Sequence, residues 1–181
     1  MLNQEQRRQL LRIARRSIES VFEGKRLDID LASLDEALRR PAGAFVTLHE
    51  RGGELRGCIG SIEAVAPLAQ AVASSAVNAA FRDPRFFPVT QDELPDLHLE
   101  ISVMSPIVPV NDVAEIGVGR DGLIVSSGGR AGLLLPQVAT EYGWDCETFL
   151  SQTCVKAGLP PESWRAGGCR IERFSAEVFS E

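Results

Sequence analysis

The stretch Gly43 to Ile62, GAFVTLHERGGELRGCIGSI, decides the fold class. It holds two strand-like runs joined through Gly52 and Gly53, residues that tolerate the positive φ a tight hairpin turn demands. A hairpin symmetric about the Gly52–Gly53 bond sets Cys58 opposite Thr47 and Arg56 opposite His49. Side chains alternate along a strand, so Val46, Leu48, Leu55 and Ile59 fall on one face with Gly57, and that apolar face is core. Phe45, Thr47, His49, Arg56 and Cys58 share the other face with Gly60.

On this second face Arg56 lies about 6.5 to 7 Å from Cys58 along the strand. His49 stands diagonally across, at about 7 to 8 Å. A cation favours the thiolate and a histidine within reach can shuttle a proton, which is the chemistry of an activated nucleophile. Gly57 and Gly60 weaken a strand unless something approaches its backbone closely, and a ligand lying on the strand is one such thing. A helix packed there is another, in which case Cys58 is a small apolar filler. Both readings are open at this point.

Working outward, the segment Gln4 to Phe22 places Leu10, Leu11, Ala14, Ile18, Val21 and Phe22 on one helical face, with Asn3 as its cap and Gly24 as its stop. Beside that face run Arg8, Arg12, Arg15 and Arg16, a stripe suited to phosphate or an acidic partner, although Glu5 and Glu19 sit at neutralising distance. Ser33 and Glu36 have capping-box spacing and Pro41 is a stop, predicting a short helix over 34–40. A second long helix follows Pro67, with Leu68, Val72, Ala76 and Ala80 at steps of four, and ends near Arg82 because Asp83 precedes Pro84. Leu97 to Met104 alternates as a strand; its polar face carries His98 and Glu100, which nothing in the sequence places near Cys58.

Residues 122 to 136 form a second hairpin around Gly128 and Gly129, ended by Pro136. A helix capped by Asp145 and closed by Gly158 follows, then a final strand in RIERFSAEVFSE. Hairpins imply antiparallel pairing, so the fold class is α+β: a mostly antiparallel sheet with flanking helices. The length suits a single domain spanning 1–181.

Composition narrows function. A net charge of −6 argues against a broad grip on nucleic-acid backbone. No leader pattern or membrane-spanning apolar run is present, and the expected setting is cytoplasmic. Cys58, Cys146, Cys154 and Cys169 show no zinc-type spacing, so no metal is expected. GVGRDG precedes a strand rather than a helix and is no phosphate cradle; no cofactor is expected. RDPRF, Arg82 to Phe86, packs two cations around Asp83, an arrangement for either a buried ion pair or an anion-binding corner.

LRGCIG, Leu55 to Gly60, resembles the signature hexapeptide of the AMMECR domain family. GAFVTL, DPRF, ELPDLHLEISVMS, LLLPQVA, GWD and KAGLP continue the likeness in order along nearly the whole chain. The resemblance implies one AMMECR-like domain of two unequal lobes, with the hexapeptide lining a cleft. It also implies a place in an AmmeMemoRadiSam-type system beside a Memo-like protein and a radical S-adenosylmethionine protein, with no established reaction. The chain lacks the CxxxCxxC of a radical enzyme, so iron–sulfur chemistry falls to a partner.

Carried onto this sequence, Arg56, Gly57, Cys58 and Gly60 form the expected site, with Asp83, Arg85 and Phe86 behind them. Three functions are then open. The chain binds a substrate or partner segment in that cleft; it is an enzyme with Cys58 as nucleophile, Arg56 favouring the thiolate or holding an anion, and His49 assisting; or it is a nucleic-acid-binding module.

Overall fold

The computed structural model describes every residue except Ala166. In chain order the elements are α1 (Gln4–Phe22), α2 (Glu36–Arg39), β1 (Ala44–His49), β2 (Leu55–Ser61), α3 (Leu68–Phe81), β3 (His98–Met104), β4 (Val108–Pro109), β5 (Asp121–Ser127), β6 (Arg130–Leu134), α4 (Pro136–Glu141), α5 (Cys146–Lys156) and β7 (Arg170–Ser180). Every strand pair with a defined register is antiparallel, and the α+β class stands. The chain divides into two unequal compact units: residues 1–104 with 177–181, and residues 105–176. Among the described residues no helix is long and apolar enough to cross a membrane.

In the larger unit the strand order is β2-β1-β3, and the last residues of β7 follow β3. α1 and α3 cover one face of this sheet. Leu10, Ala14 and Ile18 of α1 and Val72, Ala76 and Ala79 of α3 join Val46, Leu48, Leu99 and Ile101 in one buried cluster. α1 begins as the sequence predicts: the Asn3 side chain accepts from the Gln6 N–H at 2.9 Å and the Gln6 side chain accepts from the Asn3 N–H at 2.8 Å. Val21, expected in the apolar face, is exposed instead.

The arginine stripe is largely occupied within the protein. Arg12 pairs with Glu5 and Arg16 with Glu19, while Arg15 pairs with Glu181 and donates to the Leu94 and Leu97 carbonyls. The expected 34–40 helix is shorter. Leu34 is extended, which splits the segment into a 3₁₀ turn over Leu31–Ser33 and α2, and Asp35 rather than Ser33 caps α2 by accepting from the Ala37 N–H at 3.0 Å. Ser33 donates to the Asp30 carbonyl.

The first hairpin closes differently from the symmetric expectation. Glu50 donates to the Glu54 carbonyl at 2.9 Å, so the loop holds three residues and only Gly53 takes positive φ, at 88°. That turn pairs His49 with Leu55. From Leu48 onward the register is the predicted one, Leu48 with Gly57 and Thr47 with Cys58, leaving Arg56 as an extra residue without a partner. A bulge of this kind resets the alternation on one side only, here the turn-proximal side that holds Leu55. Leu55 is therefore 39% exposed rather than core, and Arg56 does not stand opposite His49.

The smaller unit is built on the β5–β6 hairpin, whose Gly128 and Gly129 both take positive φ as expected, and β7 pairs with β5 on its other side. Leu123, Ala139, Phe149 and Leu150 are its buried centre. Asp145 caps α5 by accepting from the Thr148 N–H at 2.8 Å. Pro136 ends the hairpin but also opens α4, a helix the sequence pattern did not reveal; proline suits a first helical position, where no N–H is needed.

Candidate functional site

β2 is an edge strand, and the N–H and C=O of Cys58 find no strand beyond it to pair with. The segment after α3 supplies substitutes. The Asp83 carboxylate accepts the Cys58 N–H at 2.9 Å, and Arg85 Nη2 reaches the Cys58 carbonyl at 3.4 Å. Asp83 in turn accepts from Arg85 Nε at 2.9 Å, from Arg85 Nη2 at 2.7 Å and from the Arg85 backbone N–H at 3.1 Å. One ion pair thus takes the place of a neighbouring strand and closes a bare edge.

The Asp83 side chain is only 2% exposed, whereas that of Arg85 is about half exposed. The Arg85 hydrogen bonds, aided by the N–H groups of Cys58 and Arg85, hold the Asp83 carboxyl well below the ordinary carboxylate range against the cost of desolvation. Asp83 reciprocally raises Arg85.

Arg56 does not join Cys58. Its side chain is 10% exposed, and it donates to Glu93 Oε1 at 3.1 Å and to the Phe87 carbonyl at 3.0 Å. The Phe86 ring lies close to two guanidinium groups, 6.0 Å from Arg56 and 5.4 Å from Arg85. Arg56 therefore ties the loop 86–93 to the bulge, and the cation beside Cys58 is Arg85. Glu93 is held below its usual value chiefly by the Thr90 N–H, with Arg56 adding to the effect.

The two glycines serve close packing within the protein. A Cβ on Gly57 would sit closer than 3.0 Å to the Ala79 carbonyl of α3, and one on Gly60 would meet Ala44 and Phe45 equally closely. α3 can lie this near β2 only because Gly57 lacks a side chain. Ser75 of the same helix donates to the Ala44 carbonyl at 3.2 Å.

Cys58 itself is half-buried, and Thr47 Oγ1 donates to its Sγ at 3.2 Å. Across β1, Thr47 is paired with Glu100 and His49 with His98. Cys58, Thr47 and Glu100 thus form one row over three strands on the sheet face that the helices leave uncovered. The next row toward the turn holds Leu55, His49 and His98. His49, His98, Glu100, Arg51, Asp96 and Ser180 line a pocket of about 340 Å³ at that end. His49 Nδ1 lies 3.3 Å from the Gly53 carbonyl, and no hydrogen bond joins it to Cys58 among the described residues.

The sequence reading missed Glu93, whose role depends on the bulge, and it left His98 and Glu100 unattached because the β1–β3 pairing joins residues about fifty positions apart. Among the described residues no three His, Cys, Asp or Glu side chains gather as metal ligands.

Fold and site together define an α+β protein with a helix-backed antiparallel sheet, whose edge strand carries a half-buried thiol in an ion-paired corner. The chain belongs to the AMMECR1 family, whose model matches residues 11–179. It is 46% identical to Protein MJ0810 of Methanocaldococcus jannaschii over 94% of this chain and 88% of that one. A protein of Methanothermobacter thermautotrophicus is 48% identical over 99% and 96%. The crystal structure of the uncharacterized protein PH0010 from Pyrococcus horikoshii superimposes with a TM-score of 0.84 at 40% identity, covering 99% of this chain and 93% of that one.

Proposed function

We propose that the uncovered sheet face around Cys58 is a binding surface on which the chain holds a substrate or a segment of a partner. The proposed setting is a cytoplasmic AmmeMemoRadiSam-type system containing a Memo-like protein and a radical S-adenosylmethionine protein. The observation that carries this reading is the Cys58 peptide unit held on both sides by Asp83 and Arg85 while its thiol stays half-accessible beside Thr47. Such a corner is preorganised, and the polar groups of Glu100, His49 and His98 continue it into a pocket.

The test is co-purification of the chain with a Memo-like protein and a radical S-adenosylmethionine protein from the same organism, using wild type and Cys58→Tyr. Retention by wild type and its loss in a folded Cys58→Tyr variant is expected. Equal retention by both, or retention of neither partner, overturns the proposal.

A second reading, Cys58 as a nucleophile, is favoured by Arg85 at its backbone and Thr47 at its sulfur. Its test is the alkylation rate of Cys58 as a function of pH in wild type, Thr47→Val and Arg85→Gln. A rate equal to that of a free model thiol in all three removes this reading.

A further inference from the structure

A second cavity of the larger unit lies away from Cys58. It is a groove of about 690 Å³ lined by the last turns of α1, the loop 25–29 and the length of α3. Gln70, Ala73, Ser74, Val77 and Asn78 recur at helical spacing and face opposite to the α3 residues buried on the sheet and α1, which are Leu68, Ala69, Val72, Ala76, Ala79 and Ala80. They make a second face of α3 with its own chemistry, in which the polar Gln70, Ser74 and Asn78 alternate with Ala73 and Val77.

Charge sets this groove apart. Lys25, Arg26 and Arg82 line it against a single carboxylate, Asp28, in a chain whose net charge is −6. Arg26 and Arg82 make no ion pair or side-chain hydrogen bond among the described residues. Lys25 has only a 3.8 Å contact with Glu23, and both of those side chains are mostly exposed. Most other arginines of this unit are engaged: Arg7, Arg12, Arg15, Arg16, Arg40, Arg51, Arg56 and Arg85 all have carboxylate partners. Two uncommitted guanidinium groups therefore line one cavity from separate elements.

The remaining lining sorts by chemistry. Gln70, Ser74 and Asn78 have no side-chain partners among the described residues and offer hydrogen bonds; Asn78 in the last turn of α3 and Arg82 just past its end both line the groove. Val21, Leu27, Ile29 and Val77 supply apolar wall, and Asp28 is an acceptor for hydroxyl groups. The volume falls within the range of small-molecule sites, about 300 to 1,000 Å³. Three cations facing one carboxylate leave an excess of two positive charges. That matches a phosphate monoester, which carries about −1.5 to −2 near neutral pH, better than a monocarboxylate.

We infer that this groove binds a small phosphate monoester whose body carries hydroxyl groups and an apolar face, the chemistry of a nucleoside monophosphate. Arg26 and Arg82 hold the phosphate, Asn78 and Ser74 add neutral donors, Asp28 accepts from a hydroxyl, and the apolar wall covers the body. The site is independent of the Cys58 face, which lies on the uncovered side of the same sheet.

The test is an isotope-edited NMR titration of the full chain with adenosine monophosphate, ribose 5-phosphate, inorganic phosphate and adenosine, in wild type, Arg26→Ala, Arg82→Ala, Ser74→Trp and Cys58→Ser. Saturable shifts at Arg26, Ser74, Asn78 and Arg82 are expected with adenosine monophosphate, weakening as salt is raised. Ribose 5-phosphate and inorganic phosphate saturating more weakly would place the phosphate contact first. Each arginine removed raises the dissociation constant about tenfold or more. Ser74→Trp, which fills the groove, abolishes binding, and Cys58→Ser leaves it unchanged. The substituted arginines are exposed, so their variants keep the wild-type melting temperature to within a degree or two, and a folded variant is thereby assured. The inference is overturned if no phosphorylated probe saturates, if adenosine binds as well as its monophosphate, or if the groove variants bind like wild type.

Discussion

Replacing Asp83 by asparagine perturbs the one carboxylate that both closes the β2 edge and fixes Arg85. The native side chain is 2% exposed and accepts four hydrogen bonds, one from the Cys58 N–H and three from Arg85. Asparagine keeps one oxygen acceptor but turns an NH₂ toward donors, so at least one buried donor is left unmatched. That costs about 1 to 3 kcal/mol. Loss of the ion pair adds at most about 1 kcal/mol, because the half-exposed Arg85 is readily resolvated. The expected destabilisation at neutral pH is therefore about 1 to 4 kcal/mol.

The pH dependence has a defined sign. An unfolded aspartate titrates near about 3.9, and the folded Asp83 lies lower, so between those values the unfolded chain holds the extra proton. The stabilisation from Asp83 is full above that window and is lost as pH falls through it. Urea denaturation of wild type and Asp83→Asn from about pH 7 to about pH 3, fitted for midpoint and slope, should show a gap that narrows with acid. A gap that stays constant with pH, or one below about 0.5 kcal/mol at neutrality, refutes the account.

Gly57→Ala should cost about 1 to 3 kcal/mol in the same assay, because its Cβ collides with the α3 backbone at Ala79 rather than with a side chain that can turn away. Gly53→Ala should lose about 1 to 2 kcal/mol at φ 88°, and Gly53→Asn distinctly less, since asparagine tolerates the left-handed region. Arg56→Met, which keeps the stem, should melt closer to wild type than Arg56→Ala, because Glu93 is exposed enough to be rehydrated when its partner is lost; the reverse order would mean that charge, not packing, dominates there. Burial pushes the Cys146, Cys154 and Cys169 thiols above the ordinary value, so mass spectrometry after brief alkylation of the folded chain should find Cys58 modified first. Earlier modification of Cys154 would contradict its full burial.

Local chemistry made much of this fold legible. The Asn3 cap, the helix that ends near Arg82 ahead of Asp83-Pro84, the Gly128–Gly129 turn and the Asp145 cap each rest on contacts within a few residues, so residue type and spacing suffice to place them. The Thr47–Cys58 pairing was legible for the same reason, since a hairpin ties neighbours together. What failed lay one step beyond. The Arg56 bulge was hidden because a three-residue loop and a two-residue loop around the same glycines leave the same sequence signal, and α4 was hidden because Pro136 both ends a strand and can begin a helix.

By itself, then, the sequence determined an antiparallel α+β chain with a thiol on a hairpin face and a charged corner at Arg82 to Phe86, which only the family resemblance set beside that thiol. Only the tertiary structure decided which cation meets Cys58. Arg56 was nearer in sequence, yet the bulge turns it to Glu93 and Phe87, and Arg85 arrives from across the β2 edge because bare N–H and C=O groups there must be satisfied. The same structure decided that Glu100 and His98 extend the Cys58 face, through pairings that join distant segments and leave no trace in local spacing.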